Sequence, residues 1–209
     1  MRVPVLSYIV TSFAAYLLGS IPVGFLVARA KGVDIRAVGS GNMGATNVFR
    51  VLGKTAGIFV LLADALKGYA AAAWLCDGLL KVFNVPGADG ETHRVVAGIC
   101  AVLGHNFTCW LKFKGGKGIA TSAGVYFALA PLAVSIALAA WIILALLTRY
   151  VSVASIASAV ALPTAVWFTK DSVLLGIVTT ALGALAIFKH KKNIQRLLDG
   201  TENRIGRKH

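Results

Sequence analysis

Acid is scarce in this chain. Of 209 residues only 8 are Asp or Glu, against 21 Lys or Arg, and no paired carboxylates suited to acid–base chemistry stand out. Cysteine is scarcer still: Cys76, Cys100 and Cys109 lie in or beside apolar runs without CxxC spacing. That excludes a disulfide framework or a zinc ribbon and leaves three small apolar residues. The four histidines form no cluster with metal-ligand spacing, so neither a metal nor a cofactor is expected. Aromatic residues amount to 9% and build no basic–aromatic platform. Nucleic acid is therefore a poor partner despite a net charge of +13.

What the chain has in abundance is apolar length. It is 57% hydrophobic, with a mean hydropathy of +0.77, which is not the composition of a soluble domain. The first 28 residues read as a retained span rather than a signal peptide. Their apolar region is long, only Arg2 precedes it, and "ARAKG" follows it. Further apolar runs occupy about 55–76, 95–111, 118–148, 151–169 and 172–188. A span needs about 20 residues, so 118–148 is too long for one crossing. Pro131 offers a place to turn, giving two short or tilted spans.

Loop charge separates six spans from seven. With seven, one side collects five Lys and Arg from 29–54, three from 112–117, Arg149, and seven from 189 onward. The other side keeps Arg2, Lys81, Arg94 and Lys170, and Lys67 lies within a span. With six, the basic tail would sit opposite the first basic loops. The positive-inside rule thus predicts an all-α polytopic membrane protein, a single domain over 1–209. It would have seven transmembrane helices, with the N-terminus outside and the C-terminus in the cytoplasm.

The unusual polar stretches all fall on that cytoplasmic side. In "GSGNMGATNVFR", glycines permit φ > 0 and let successive amides converge on an anion. Ser40, Asn42, Thr46 and Asn47 add side-chain donors, and Arg50 adds a planar fork suited to phosphate. "ATNVFRVLG" is expected to open a short helix pointing its N-terminus at the same anion. This is neither a Walker A loop, lacking GK[ST], nor a dinucleotide fingerprint, since no strand precedes it. A second site is expected at "GHNFTCWLKFKGGKGIATS", where glycines surround Lys117 at a helix entrance. Ser152, Ser155 and Ser158 recur every third residue, a spacing that suits helix packing. The tail "KHKKNIQRLLDGTENRIGRKH" is expected to begin as an amphipathic surface helix with Ile194, Leu197 and Leu198 toward lipid. Lys67 inside a span needs a partner or a site. Asp64, three residues earlier, lies on the same helical face.

Catalytic groups are few. The histidine–x4–aspartate pair of many glycerolipid acyltransferases is absent: Gly98, Trp110 and Gln195 stand five residues past His93, His105 and His190. A substrate carrying its own activated leaving group and a proton-accepting phosphate would need no protein base. The chain would then supply positioning and electrostatic stabilisation.

With these residues in view, "GSGNMGATNVFR", "LGHNFTCWLKFKGGKGIAT", "RYVSVASI" and "KHKKNIQRLLDGTEN" resemble the motifs of the bacterial membrane glycerol-3-phosphate acyltransferases that use acyl phosphate. The resemblance runs from "LLGSIPVG" at 17–24 to "GTEN" at 200–203. It implies a seven-span enzyme of the bacterial inner membrane, its active site facing the cytoplasm. Such an enzyme makes lysophosphatidic acid and releases phosphate without metal or coenzyme A. Carried over by position, Ser40, Gly41, Asn42, Gly44, Ala45, Thr46 and Asn47 would form the acyl-phosphate hole. Arg50, Lys117, Ser152, His190 and Asn193 would hold glycerol 3-phosphate. Asp64, Lys67, His105, Lys112 and Glu202 match motif positions without an assigned role. Thr108 stands where the family usually has proline, and Lys191 where it often has arginine. The alternative is a small transporter of a phosphorylated metabolite, against which stand the lack of an internal repeat and of paired broken helices.

Overall fold

The computed structural model of the chain describes residues 5–85 and 87–206, without the side chains of 87–89. Arg2, Arg207 and Lys208, counted in the charge balance above, lie outside the described residues. All regular structure among the described residues is helical. The chain forms two compact units, Met1–Leu129 and Ala130–His209.

In the first unit the leading apolar run is not one continuous helix. Helix α1 (Val5–Ser20) stops at Ile21–Pro22 and α2 (Val23–Ala30) resumes beyond it, because proline lacks the amide that would continue the ladder. After a polar loop come α3 (Ala45–Leu52) and α4 (Lys54–Ala70). A π-helical turn at Ala71–Leu75 joins α4 to α5 (Cys76–Val82). Helix α6 (Gly87–Asn106), a 3-10 turn at Cys109–Leu111 and α7 (Ile119–Leu129) complete the unit. Helix α6 begins well before the apolar run at 95, because its polar residues there are partnered. His93 is buried, its Nε2 2.9 Å from Ser7 Oγ and its ring stacked on Tyr8. Arg94 meets Asp77 at 2.7 Å.

Helix α1 packs on α6, and α4 packs on α7. Small residues make both approaches possible. A Cβ on Gly19 would collide with the Ala101 carbonyl, and one on Gly124 with the Ala65 carbonyl. Close backbone contact through small residues is how helices associate where lipid removes the hydrophobic drive.

The second unit holds α8 (Pro131–Thr148), α9 (Val151–Thr169), α10 (Val173–Lys189) and α11 (Lys191–Leu198). Pro131 opens α8 as its first residue, a position where the missing amide costs nothing. Helix α9 packs between α8 and α10. Trp141 Nε1 donates to Ser155 Oγ at 3.2 Å, so Ser155 joins α8 to α9, while Ser158 Oγ bonds within its own helix, to the Ser155 carbonyl at 3.0 Å. Helix α11 turns from α10 by 52°, as suits a surface helix, and Leu198 on it is exposed.

Among the described residues five stretches are long and apolar enough to cross a membrane: Val5–Ala30, Lys54–Val82, Gly90–Leu111, Pro131–Thr148 and Val151–Thr169. The bent α10–α11 pair makes a sixth. The apolar run 118–148 is interrupted at Ala130, just before Pro131, which leaves α7 only 11 residues. At about 1.5 Å per residue that is roughly half of a bilayer core.

Candidate active site

In the first unit, the loop between α2 and α3 is built by one side chain. Asn47, 1% exposed on α3, accepts the Ser40 amide on Oδ1 at 2.8 Å. Its Nδ2 donates to the carbonyls of Ile35 and Val38, each at 3.1 Å. Asn42 Oδ1 accepts the Gly44 amide at 2.8 Å. Positive φ at Gly39 (60°) and Gly41 (68°) lets the chain double back between these bonds. Thus Asn47, expected as a phosphate donor, spends its amide shaping the loop.

The short helix expected after this loop is present as α3, entered from Gly44 in extended conformation. The amides of Ala45 and Thr46 in its first turn have no acceptor among the described residues, which leaves them for an anion. Thr46 and Arg50 are exposed and lie four residues apart on one face of α3, with Asn47 and Val48 turned inward. Asp34 and Arg36 close the neighbouring turn through a two-point contact, Nε to Oδ1 at 2.9 Å and Nη2 to Oδ2 at 2.8 Å. Those Arg36 hydrogen bonds hold the exposed Asp34 carboxyl down to about 2. Arg36 is therefore matched within its own turn.

The second glycine stretch rests on the end of α6. The amides of Gly115 and Gly116 donate to the carbonyls of Asn106 (3.2 Å) and His105 (3.0 Å). A Cβ on Gly116 would collide with Nε2 of the His105 ring, so the chain runs against the imidazole before reaching Lys117. Leu111 from this stretch shares an apolar core with Ile35 and Met43 of the first loop, and with Ala28, Val48, Ala56 and Val60. The two glycine loops are thereby brought onto one floor. Lys112 adopts a left-handed conformation (φ 53°) and is exposed, as is Phe113 beside it (φ 59°).

Next to the second loop lie three of the ionisable residues left without a role by the motifs, Asp64, Lys67 and His105. Asp64 and Lys67 are buried and paired at 2.8 Å. Lys67 Nζ also donates to the Ile21 carbonyl at 2.9 Å, and His105 Nδ1 stands 3.6 Å from Asp64 Oδ1.

Ser20 and Thr108 were not singled out as site residues from the sequence, yet they tie the second stretch to the α1–α2 break. Thr108 Oγ1 donates to the Ser20 carbonyl at 2.6 Å, and Trp110 Nε1 to Ser20 Oγ at 2.9 Å. The available signal was the Gly-Ser-Ile-Pro sequence at 19–22 inside an apolar run. Thr108 itself holds φ −64°, the angle proline would impose. The threonine keeps the loop's path and adds a bond.

In the second unit Glu202 gathers the polar residues. It is 7% exposed. Its Oε1 accepts from Ser152 Oγ (3.1 Å) and Asn193 Nδ2 (2.8 Å), and Oε2 from Arg196 Nε (2.7 Å). Buried His190 places Nδ1 2.8 Å from the Ala186 carbonyl. A carbonyl only accepts, so Nδ1 carries a proton. The tail beyond Glu202 is pinned by the Ile205 amide on the Arg149 carbonyl at 2.8 Å. Among the described residues no group of His, Cys, Asp and Glu has the geometry to hold a metal ion.

Residues 9–200 match the family model described as glycerol-3-phosphate acyltransferase. The glycerol-3-phosphate acyltransferase of Geotalea daltonii is 46% identical over 197 residues, 94% of this chain and 97% of that protein. That of Geobacter sulfurreducens is 46% identical over 200 residues, covering 96% and 98%. Among solved structures, PlsY is an integral membrane glycerol 3-phosphate acyltransferase, and its glycerol 3-phosphate form superposes with a TM-score of 0.86. It shares 41% identity over 96% of each chain. Its lysophosphatidic acid form superposes with a TM-score of 0.83 at 40% identity.

Proposed function

Because this integral membrane chain belongs to the glycerol-3-phosphate acyltransferase family, we propose that it acylates glycerol 3-phosphate with an acyl phosphate as donor. The products are lysophosphatidic acid and inorganic phosphate. The sn-1 hydroxyl attacks the acyl carbonyl, the carbon–oxygen bond to phosphate breaks, and the departing phosphate takes the hydroxyl proton. Atoms and charge balance without a protein base, metal or coenzyme. The chain lowers the barrier by holding two anions in reacting geometry and stabilising charge on the carbonyl oxygen and leaving phosphate.

One observation carries this reading. Among the described residues the Ala45 and Thr46 amides behind the Asn47-braced loop have no acceptor, and exposed Arg50 lies one turn beyond Thr46 on the same face of α3. Two amides at the N-terminus of α3, with a hydroxyl and a guanidinium on its adjoining face, suit a phosphate better than any other ligand class. Ser40, Gly41, Asn42, Gly44, Ala45, Thr46 and Asn47 are assigned to the acyl-phosphate hole, Asn47 as its brace. Arg50 and Lys117 are assigned to glycerol 3-phosphate as cations. From the motif positions, Ser152, His190 and Asn193 are assigned to the same substrate as hydrogen-bonding groups. Glu202 holds Ser152 and Asn193 in place. The whole chain acts as one acyltransferase domain with seven crossings in the bacterial inner membrane, α7 being the short one. Its N-terminus is outside, and the basic loops and tail face the cytoplasm.

The test is donor choice. Purified protein in detergent turns over acyl phosphate with glycerol 3-phosphate, ignores acyl-CoA, and is unaffected by EDTA. A transporter would be inert without a sealed membrane. Comparable turnover of acyl-CoA would overturn the donor assignment.

A further inference from the structure

Three ionisable side chains lie buried next to the second glycine loop: Asp64, Lys67 and His105, at 2%, 5% and 4% exposure. Burying charge inside a span is costly. Asp64 and Lys67, three residues apart on α4, would compensate each other without further partners. Both nevertheless reach other elements. Lys67 Nζ donates to the Ile21 carbonyl at the α1–α2 break. Helix α2, beginning just after that break, lies so close to the first loop that a Cβ on Gly24 would strike the Met43 carbonyl. Asp64 Oδ1 faces His105 Nδ1 at 3.6 Å. His105 in turn supports the second loop twice, through its carbonyl to the Gly116 amide at 3.0 Å and through its ring against Gly116. Lys117 is the next residue.

We propose that Asp64, Lys67 and His105 are positioning residues: Lys67 fixes the break beside the first glycine loop, and His105, oriented by Asp64, sets the backbone that presents Lys117 to the phosphate of glycerol 3-phosphate. This rests on the assignment of Lys117 to that substrate. Compensation of one buried charge by another explains the Asp64–Lys67 pair alone. It explains neither the bond to Ile21 nor an imidazole sandwiched between a carboxylate and a glycine. A buried ion pair is often replaceable by apolar residues without loss of stability, so stability is a weak reason for this arrangement.

The experiment separates positioning from folding. His105→Ala leaves the Asp64–Lys67 pair intact, and glycerol 3-phosphate binding is measured by titration calorimetry on protein in detergent, without any acyl donor. The dissociation constant and KM for glycerol 3-phosphate should rise about tenfold, with the donor's KM within about twofold, as expected for one misaligned charge-assisted bond. Lys117→Ala should weaken binding further, and the double variant should bind no worse than Lys117→Ala alone, because both act through one group. Should His105→Ala not fold, Asp64→Leu/Lys67→Met removes the pair together. That variant should remain folded, melting somewhat below the wild type for the lost bond to the Ile21 carbonyl, yet bind glycerol 3-phosphate about tenfold more weakly. Wild-type affinity in either folded variant, or multiplying losses in the double variant, would overturn the proposal. Because no donor is present, a mistaken acyl-phosphate assignment leaves this result unaffected. Unchanged binding in Lys117→Ala would instead overturn the assignment of Lys117 and the proposal with it.

Discussion

Replacing Asn47 by alanine removes three hydrogen bonds at once and no direct charge. The Ser40 amide loses its acceptor, and the carbonyls of Ile35 and Val38 lose their shared donor. A net contribution of about 0.5–1.5 kcal/mol each places the loss of loop order between about 1.5 and 4.5 kcal/mol. Water reaches part of this loop, since Ser40 and Val38 are not fully buried, so the lower half of the range applies. That corresponds to a fall of roughly ten- to a hundredfold in kcat/KM for acyl phosphate. Aspartate at 47 should do no better: it keeps the Ser40 acceptor but turns a carboxylate toward two carbonyls and toward the anion. The assay is steady-state kinetics on purified variants, with glycerol 3-phosphate binding measured in parallel to exclude global unfolding. Wild-type KM for acyl phosphate in a folded Asn47→Ala enzyme would refute the view that this side chain builds the phosphate loop.

Three further outcomes are expected. Arg50→Lys keeps the charge but loses the planar fork, and kcat/KM should fall roughly ten- to a hundredfold, with Arg50→Ala lower still; equal kinetics for lysine would remove Arg50 from the site. Thr108→Val strips the donor from the buried Ser20 carbonyl and should cost about 1–3 kcal/mol, read as a lower melting temperature in detergent with donor preference unchanged. A single cysteine at position 203, in a background lacking the three native cysteines, should resist a membrane-impermeant thiol reagent in intact cells; ready labelling would overturn the inward orientation of the tail.

How much of this was legible beforehand depends on the distance between partners along the chain. The Asp64–Lys67 pair could be read directly, because three residues on a helix place both on one face. The helix after Gly44 and the helix break before Pro131 were legible for the same local reasons, a glycine entrance and a missing amide. The start of α6 was not. Its polar residues His93 and Arg94 depress hydropathy, and only the fold supplies Ser7, Tyr8 and Asp77 as their partners. The break at Pro22 passed unnoticed inside a strongly apolar run. Its stabilising contact comes from Lys67, 46 positions away. Asn47 looked like one donor among several, since nothing local says that its amide turns back toward residues 35, 38 and 40. Glu202 likewise carried a motif match without a role until the fold placed Ser152, Asn193 and Arg196 around it.

The central claim is that one acyl group moves from phosphate to the glycerol hydroxyl for each phosphate released. The direct measurement follows both products of the purified protein in detergent, lysophosphatidic acid by mass spectrometry and phosphate by colorimetry, from acyl phosphate with and without glycerol 3-phosphate. The account requires equal amounts of the two products and no phosphate release when glycerol 3-phosphate is omitted. Phosphate release that ignores glycerol 3-phosphate, or lysophosphatidic acid formed only from acyl-CoA, would contradict it.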